Sequence, residues 1–187
     1  MDTALSICVG IGLSAACGFR VFVPLLVMSI AALSGHLTLA SQFQWIGTYP
    51  ALIAFSVATA LEIGGYYIPW LDHLLDTIAT PASIVAGVIV MSSMLTSMDP
   101  FLKWTLAVIA GGGIAGAVQS GTVLTRAAST STTGGLANPI VATVELGLSL
   151  FMSVLSFILP VLAAALVIVI GLFIGVKAWK RFRPAQA

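Results

Sequence analysis

The stretch ATALEIGG (Ala58–Gly65) places the carboxylate of Glu62 within a run of apolar and small residues. Further along the chain, ATVELGL (Ala142–Leu148) places Glu145 in nearly the same surroundings. The 187-residue chain is 59% hydrophobic and only 7% charged, with a mean hydropathy of +1.14, whereas about a quarter of the residues in a soluble domain are charged. The composition therefore predicts an all-α, multi-pass integral membrane protein that buries two glutamates.

Five apolar runs are each close to the roughly twenty residues that a membrane-spanning helix needs. They are Ile46–Gly65, Pro81–Met98, Phe101–Val118, Pro139–Phe157 and Leu159–Val176. A further apolar segment, Thr3–Leu33, is longer than one ordinary span and is interrupted by Gly18, Arg20 and Pro24. We interpret it as one crossing made by a broken helix, which gives six crossings in all; a re-entrant hairpin is the alternative.

The two glutamate-bearing stretches also suggest an internal repeat. Each follows a glycine-rich helix and a proline, so the chain divides into two three-helix halves, residues 1–98 and 99–176, followed by a basic tail, residues 177–187. Because each half has an odd number of crossings, the second half would be inverted relative to the first, as in many transporters. The first helix of each half would be broken or kinked, at Gly18 and Pro24 or at Gly111, Gly112 and Gly113.

Positive charges predict the orientation in the membrane. Lys177, Lys180, Arg181 and Arg183 follow the last span, and basic residues favour the cytoplasmic side. With six crossings, both ends would be cytoplasmic in the inner (plasma) membrane. Aromatic residues near the predicted span ends are typical of the interfacial belt; they are Trp45, Tyr49, Tyr66, Tyr67, Trp70 and Trp179.

Charged residues within the predicted spans are the first candidates for a functional site. A charge at mid-membrane costs about 3 kcal/mol on insertion scales and therefore faces protein or water. Arg20, Glu62 and Glu145 fall in or beside predicted spans. They predict a proton- or cation-coupled site, with Arg20 pairing with a glutamate or holding an anionic substrate; a buried ion pair that only fixes helix register is the alternative.

A second candidate is the stretch YYIPWLDHLLDTIATP (Tyr66–Pro81). Asp72 and Asp76 lie one helical turn apart on the same face, with His73 beside Asp72. They predict a cation-binding or proton-relay mouth, or else the wet face of an interfacial helix. As metal ligands the three are weak candidates, because they include only one histidine and no cysteine pair.

A third candidate is the polar stripe of QSGTVLTRAASTSTTGGLANP (Gln119–Pro139). On a helix, one face of this stretch carries Thr122, Arg126, Ser129, Thr130 and Thr133. The stripe predicts a water-filled path, a site for a phosphate-like head group, or a soluble loop. The glycines and the Asn138-Pro139 step mark a break before the next span.

Three stretches together resemble an uncharacterised bacterial membrane family, domain of unknown function 4126. They are GFRVFVPLL (Gly18–Leu26), EIGGYYIPWLDHLLD (Glu62–Asp76) and TGGLANPIVATVE (Thr133–Glu145). The resemblance implies no activity. It favours a functional role for Arg20, Glu62, Asp72 and Asp76, because the family's motif coincides with these charged residues; Asn138 and Glu145 match an Asn and an acidic residue that open the later span of the family.

These patterns predict a small transporter or channel for an ion or a small polar or anionic solute. A lipid scramblase or head-group-binding protein is the alternative. We expect no enzymatic activity, no cofactor and no nucleic-acid partner, and we expect contact with membrane lipid and assembly as a homo-oligomer. The expected pathway residues are Arg20, Glu62, Asp72, Asp76, Arg126, Asn138 and Glu145.

Overall fold

The computed structural model describes residues 2–182, except for the side chains at positions 69, 70, 72, 73, 178, 181 and 182. Every regular element in this part of the chain is helical. The elements are α1 Thr3–Phe19, α2 Phe22–Leu33, a 3₁₀ helix Ser41–Gly47, α3 Tyr49–Gly65, α4 Pro69–Met94, α5 Pro100–Leu106, a π-helical segment Ala107–Gly112, α6 Gly113–Thr133, α7 Asn138–Ile158 and α8 Pro160–Phe182.

Four stretches are long and apolar enough to cross a membrane: Leu74–Met94, Pro100–Thr133, Asn138–Ile158 and Pro160–Lys177. A fifth forms if the 3₁₀ helix and α3, which meet at an angle of 65°, are one bent span. Both α1 and α2 are apolar but shorter. The predicted class, an all-helical membrane protein, is therefore confirmed.

The first long helix, α1, lies at the centre of the bundle and runs antiparallel to α4. The hydroxyl of Ser14 donates a hydrogen bond to the carbonyl of Gly87 at 3.2 Å. One turn earlier on α1, Gly10 lies against Met91, one turn later on α4. The start of α1 is therefore beside the end of α4.

The next helix, α2, returns toward that same end of α4. The hydroxyl of Ser93 on α4 lies 4.0 Å from the sulfur of Met28, in the second half of α2. The segment Thr3–Leu33 is thus a helical hairpin with its tip at Arg20 and Val21. This corrects the prediction of a single broken crossing. The opposite directions of α1 and α2 match the alternative, a re-entrant hairpin.

The hairpin turns where the sequence predicted a helix break. The backbone of Arg20 is extended, with φ −145° and ψ 129°, which ends α1 at Phe19. Pro24 then occupies the first turn of α2, where a helix does not need the missing N–H. An arginine and a proline this close together end one helix and start another.

At the second predicted break or kink, Gly111, Gly112 and Gly113, the helix is distorted but not interrupted. Pro100–Thr133 runs as one helix that widens into π geometry over Ala107–Gly112. A Cβ on Gly111 would lie 2.5 Å from the carbonyl oxygen of Gly87, closer than real Cβ atoms approach. Glycine at this point serves close backbone packing against α4, and the helix continues past it.

Helix α7 runs antiparallel to α1. The hydroxyl of Ser149 donates to the carbonyl of Ala16 at 3.0 Å, and Ser156 lies beside Gly12, one turn earlier on α1. Because α3 ends at the hairpin tip and α7 begins near it, these two helices run in opposite directions, as an inverted repeat requires. The hairpin α1–α2 and the continuous helix Pro100–Thr133 are nevertheless not copies of one another.

The last helix, α8, turns back along α1. Ser156 of α7 and Ala163 of α8, on either side of the break at Leu159, both lie beside Gly12. The chain therefore reverses between α7 and α8, and α8 runs in the same direction as α1. The start of α1 and the end of α8 therefore lie at opposite ends of the bundle. The expectation that both ends face the cytoplasm stays a prediction, and the directions of α1 and α8 argue for opposite sides instead. Arg183 and the side chain of Arg181, used for that expectation, lie outside the described part of the chain.

Candidate functional site

Five of the predicted residues, Arg20, Glu62, Asp76, Arg126 and Glu145, are buried or nearly so around the hairpin tip. Asp76 and Glu145 each lie seven residues after the start of their helix, and Arg126 lies seven residues before the end of its helix. At 1.5 Å per residue this is about 10 Å from the helix ends. The charges therefore meet inside the bundle, toward one of its ends.

The centre of this cluster is Arg126 on α6. Its Nε donates to Oε1 of Glu145 at 3.1 Å, and its Nη2 forms a short hydrogen bond to Oε2 of the same carboxylate. Its Nη1 donates to Oδ1 of Asp76 at 3.2 Å. This two-point pairing with Glu145 is the strongest form of arginine–carboxylate contact, and it joins α4, α6 and α7.

Arg20 is held differently, although it is even more buried, at 1% exposure. Its Nη2 donates to the carbonyl of Ala142 at 2.8 Å and lies 3.6 Å from Oε2 of Glu145. Its Nε and Nη1 have no hydrogen-bond partner among the described residues. A buried polar group left unpaired costs about 1–3 kcal/mol, and more if charged. Leaving these two donors unpaired therefore lowers the stability of the fold.

Tyr66 contacts both arginines. The guanidinium carbons of Arg20 and Arg126 each lie 3.9 Å from the centroid of its ring, and the ring is buried. An aromatic face stabilises a nearby cation by about 2 kcal/mol when water is excluded. Sequence reasoning assigned Tyr66 to the interfacial belt, and this is wrong; Trp45, Tyr49, Tyr67 and Trp179 are exposed, as a belt requires.

The carboxylate of Glu62 binds backbone groups. Its Oε1 accepts a hydrogen bond from the N–H of Val21 at 2.8 Å, and its Oε2 accepts one from the N–H of Phe22 at 3.1 Å. These N–H groups belong to the start of α2, where helices leave donors without intrahelical partners and carry partial positive charge. Glu62 thus caps α2 from a neighbouring helix and holds the hairpin tip.

Glu62 also differs from the other carboxylates in its charge partners. Glu145 and Asp76 both lie within 4 Å of an arginine nitrogen, whereas among the described residues no lysine or arginine nitrogen comes that close to Glu62. Together the five groups comprise two guanidinium groups and three carboxylates. Among these three carboxylates, Glu62 is therefore the one that forms no ion pair with an arginine of the described residues.

The remaining predicted residues lie apart from this centre or outside the description. Asn138 is buried at the first residue of α7, two turns before Glu145. Its Nδ2 donates a hydrogen bond to the hydroxyl of Thr130 at 3.1 Å. The side chains of Asp72 and His73 lie outside the described part of the chain. Within that part no group of three or more histidine, cysteine or acidic side chains is placed to hold a metal ion.

The polar stripe of α6 faces the protein along most of its length. Thr122 and Arg126 are buried, Ser129 and Thr130 are half-buried, and only Thr133, in the last turn, is exposed. The soluble-loop interpretation is therefore corrected for this segment. Sequence reasoning missed the carbonyl of Ala142 and the N–H groups of Val21 and Phe22, because backbone groups leave no trace in the pattern of side chains.

Comparison with known proteins gives one informative match. No curated protein and no solved structure matches the chain. The model of the family described as "Domain of unknown function (DUF4126)" matches residues 7–181, which include the hairpin from Ile7 onward and every charged residue of the cluster. The chain therefore belongs to the family of domain of unknown function 4126.

Proposed function

We propose that the protein is a small membrane transporter or channel for a small anionic solute, and that the hairpin α1–α2 enters the membrane and leaves it on the same side. The observation that carries this proposal is Arg20: it is 1% exposed, and two of its guanidinium nitrogens have no partner among the described residues. A fixed positive charge with free donors inside a membrane bundle is suited to binding an anion.

The surroundings of Arg20 support an anionic rather than a cationic solute. The N–H groups at the start of α2 are already bound by the carboxylate of Glu62, so the buried donors left open to a solute are those of Arg20. The carboxylates of Glu145 and Asp76, which would otherwise attract cations, are engaged by Arg126. Helix ends that meet inside a membrane protein at a break are the usual location of transporter sites.

A purely structural role for the cluster explains less. A charge network built only to join helices would pair its donors, as Arg126 does with Glu145 and Asp76. Arg20 instead keeps two donors unpaired among the described residues. Buried polar groups in folded proteins are nearly always satisfied by protein, water or a bound group, so the two unpaired donors of Arg20 are suited to a ligand.

The test is anion flux through liposomes that contain the full-length protein. Nitrate and chloride are the probes, and the variant is Arg20→Lys, which keeps the charge but removes the fork of guanidinium donors. Losing one charge-assisted hydrogen bond costs about 1.5–3 kcal/mol, so we expect the nitrate flux to fall about tenfold or more. Lys177→Arg, at an exposed position on α8, is the control and should leave the flux unchanged.

The result that would overturn the proposal is equally definite. If wild-type protein moves neither nitrate nor chloride above protein-free liposomes, or if Arg20→Lys moves them at the wild-type rate, the anion pathway is wrong. Exchange of fluorescent lipids between leaflets, measured by dithionite quenching on the same vesicles, would then support the lipid-handling alternative.

A further inference from the structure

We propose that the ammonium group of Lys103 binds the phosphate of an anionic membrane phospholipid, at the end of the bundle opposite to the charge cluster. Lys103 and Arg126 lie near opposite ends of one continuous helix, Pro100–Thr133. The lipid site is therefore separate from the cluster, and the inference does not depend on the function proposed above.

Lys103 lies at the depth of the lipid head groups. The helix Pro100–Thr133 has 34 residues and is therefore about 50 Å long at 1.5 Å per residue. A bilayer with its head groups is about 40–45 Å thick, so both ends of this helix reach the head groups. Lys103 follows the first residue of the helix by less than one turn, which places it beside the phosphates of one leaflet.

The side chain of Lys103 is buried directly beneath the surface of this end. Lys103 is 8% exposed, whereas the preceding residues 99–102 are all exposed. A lysine at a membrane interface ordinarily extends its ammonium group into water, but Lys103 is covered by the protein. Only the first turn of the helix lies between it and the head groups, so a short movement of its flexible side chain reaches a phosphate.

Lys103 has no anionic partner within the described part of the chain. There its ammonium group makes no hydrogen bond and lies within 4 Å of no carboxylate oxygen. The carboxylate nearest to it in the sequence, that of Asp99, caps the same helix by accepting from the N–H groups of Phe101 at 3.0 Å and Leu102 at 3.4 Å. Buried charges in proteins are normally paired, so this cation is suited to an anion from outside the chain.

The contact of Lys103 with an aromatic ring is long. Its Nζ lies 5.3 Å from the ring centroid of Phe43, near the limit of about 6 Å for a cation–π contact. At the charge cluster, the corresponding distances to the ring of Tyr66 are both 3.9 Å. The ring of Phe43 therefore holds the ammonium group at this place but leaves its charge open to a phosphate.

Exposed aromatic residues at this end favour a lipid over a soluble anion. Trp45 in the 3₁₀ helix, Tyr49 at the start of α3 and Trp104 beside Lys103 are 49%, 72% and 45% exposed. Such residues mark the head-group level of a membrane. Phosphatidylglycerol carries a single net negative charge, which matches the single ammonium group, whereas phosphatidylcholine carries its own cation beside the phosphate.

The experiment titrates short-chain phosphatidylglycerol into the full-length protein in a non-ionic detergent and follows the melting temperature. A ligand that binds the folded state stabilises it, so the melting temperature of wild-type protein should rise by about 3 °C or more. Phosphatidylcholine with the same chains, and sodium phosphate as the soluble probe, should each give a smaller rise at the same concentration.

Variants of Lys103 assign the response to this side chain. Lys103→Gln should need about tenfold more phosphatidylglycerol or worse for the same rise, because it lacks the charge-assisted hydrogen bond. Lys103→Arg keeps a cation and should retain the response. Lys177→Gln removes an exposed charge at the opposite end of the bundle and is the matched control, which should respond as the wild type does.

The lipid site is overturned if Lys103→Gln responds to phosphatidylglycerol as the wild type does. It is also overturned if phosphatidylcholine or sodium phosphate gives the same rise as phosphatidylglycerol. Should Lys103→Gln not fold, native mass spectrometry of wild type and Lys103→Arg decides the question. Both proteins should retain phosphatidylglycerol in preference to phosphatidylcholine, and equal retention of the two lipids would contradict the site.

Discussion

Arg126 and Glu145 form a two-point ion pair inside the helix bundle, and both side chains are almost completely excluded from solvent. Removing one partner of a buried pair leaves the other charge without compensation, at a cost of about 3–5 kcal/mol. We expect Glu145→Gln and Arg126→Gln each to lower the free energy of unfolding by an amount of this order. The double variant should lose much less than the sum, as measured by unfolding in detergent.

Lys177→Gln removes an exposed charge and is the control for the comparison of the single and double variants. It should change the free energy of unfolding by less than about 0.5 kcal/mol. Additive losses in the double variant would mean that the two side chains are not energetically coupled.

Tyr66 should act through its ring rather than its hydroxyl, because the ring lies 3.9 Å from both guanidinium carbons. Tyr66→Phe keeps the ring and should change the free energy of unfolding little. Tyr66→Leu removes two cation–π contacts, each worth about 1–2 kcal/mol when desolvated, and should lower it by about 2–4 kcal/mol. Equal losses in the two variants, measured by chemical unfolding in detergent, would exclude the ring as the source of the stability.

Two neighbouring glycines should respond in opposite ways to alanine. A Cβ on Gly111 would lie 2.5 Å from the carbonyl oxygen of Gly87, whereas a Cβ on Gly113 would meet nothing within 4 Å. Overpacking costs about 1–3 kcal/mol, so Gly111→Ala should lower the melting temperature. Gly113→Ala should leave it unchanged or raise it, since alanine favours a helix over glycine by about 1 kcal/mol. Equal melting temperatures would show that α4 and the π-helical segment are not in close contact.

The ends of the bundle should face opposite sides of the membrane. Single cysteines at Thr3 and at Lys177, both exposed positions, are placed in a chain whose Cys8 and Cys17 are replaced by alanine. A maleimide that does not cross membranes should label one of them in intact cells and the other only after permeabilisation. Labelling of both, or of neither, in intact cells would contradict the directions of α1 and α8.

Sequence reasoning found what side chains reveal and missed what depends on the backbone and on distant contacts. The break near Arg20 was predictable because an arginine and a proline interrupt an apolar run. The pairing of Arg20 with a glutamate was predictable because charges inside a membrane seek partners, whereas the sequence placed Arg126 only on a polar stripe and did not predict that it joins Glu145. The return of α2 toward the end of α4 was not predictable, because it depends on non-local packing such as that between Met28 and Ser93.

Tyr66 shows the same limit on a smaller scale. An aromatic residue at the end of an apolar run fits an interfacial belt and a buried cation site equally well in the sequence. Only the fold shows that two guanidinium groups reach its ring. The partners of Glu62 were hidden for a different reason, because they are backbone N–H groups that any residue would supply.

Calorimetric titration of nitrate into the purified protein in detergent, for wild type and Arg20→Lys, tests most directly whether the unpaired donors of Arg20 bind an anion. Wild-type protein should bind nitrate, and Arg20→Lys should bind it about tenfold more weakly or worse, because a hydrogen bond to a charged group is worth about 1.5–3 kcal/mol. Absence of nitrate binding to the wild-type protein, or equal affinities of the two proteins, would contradict the anion site.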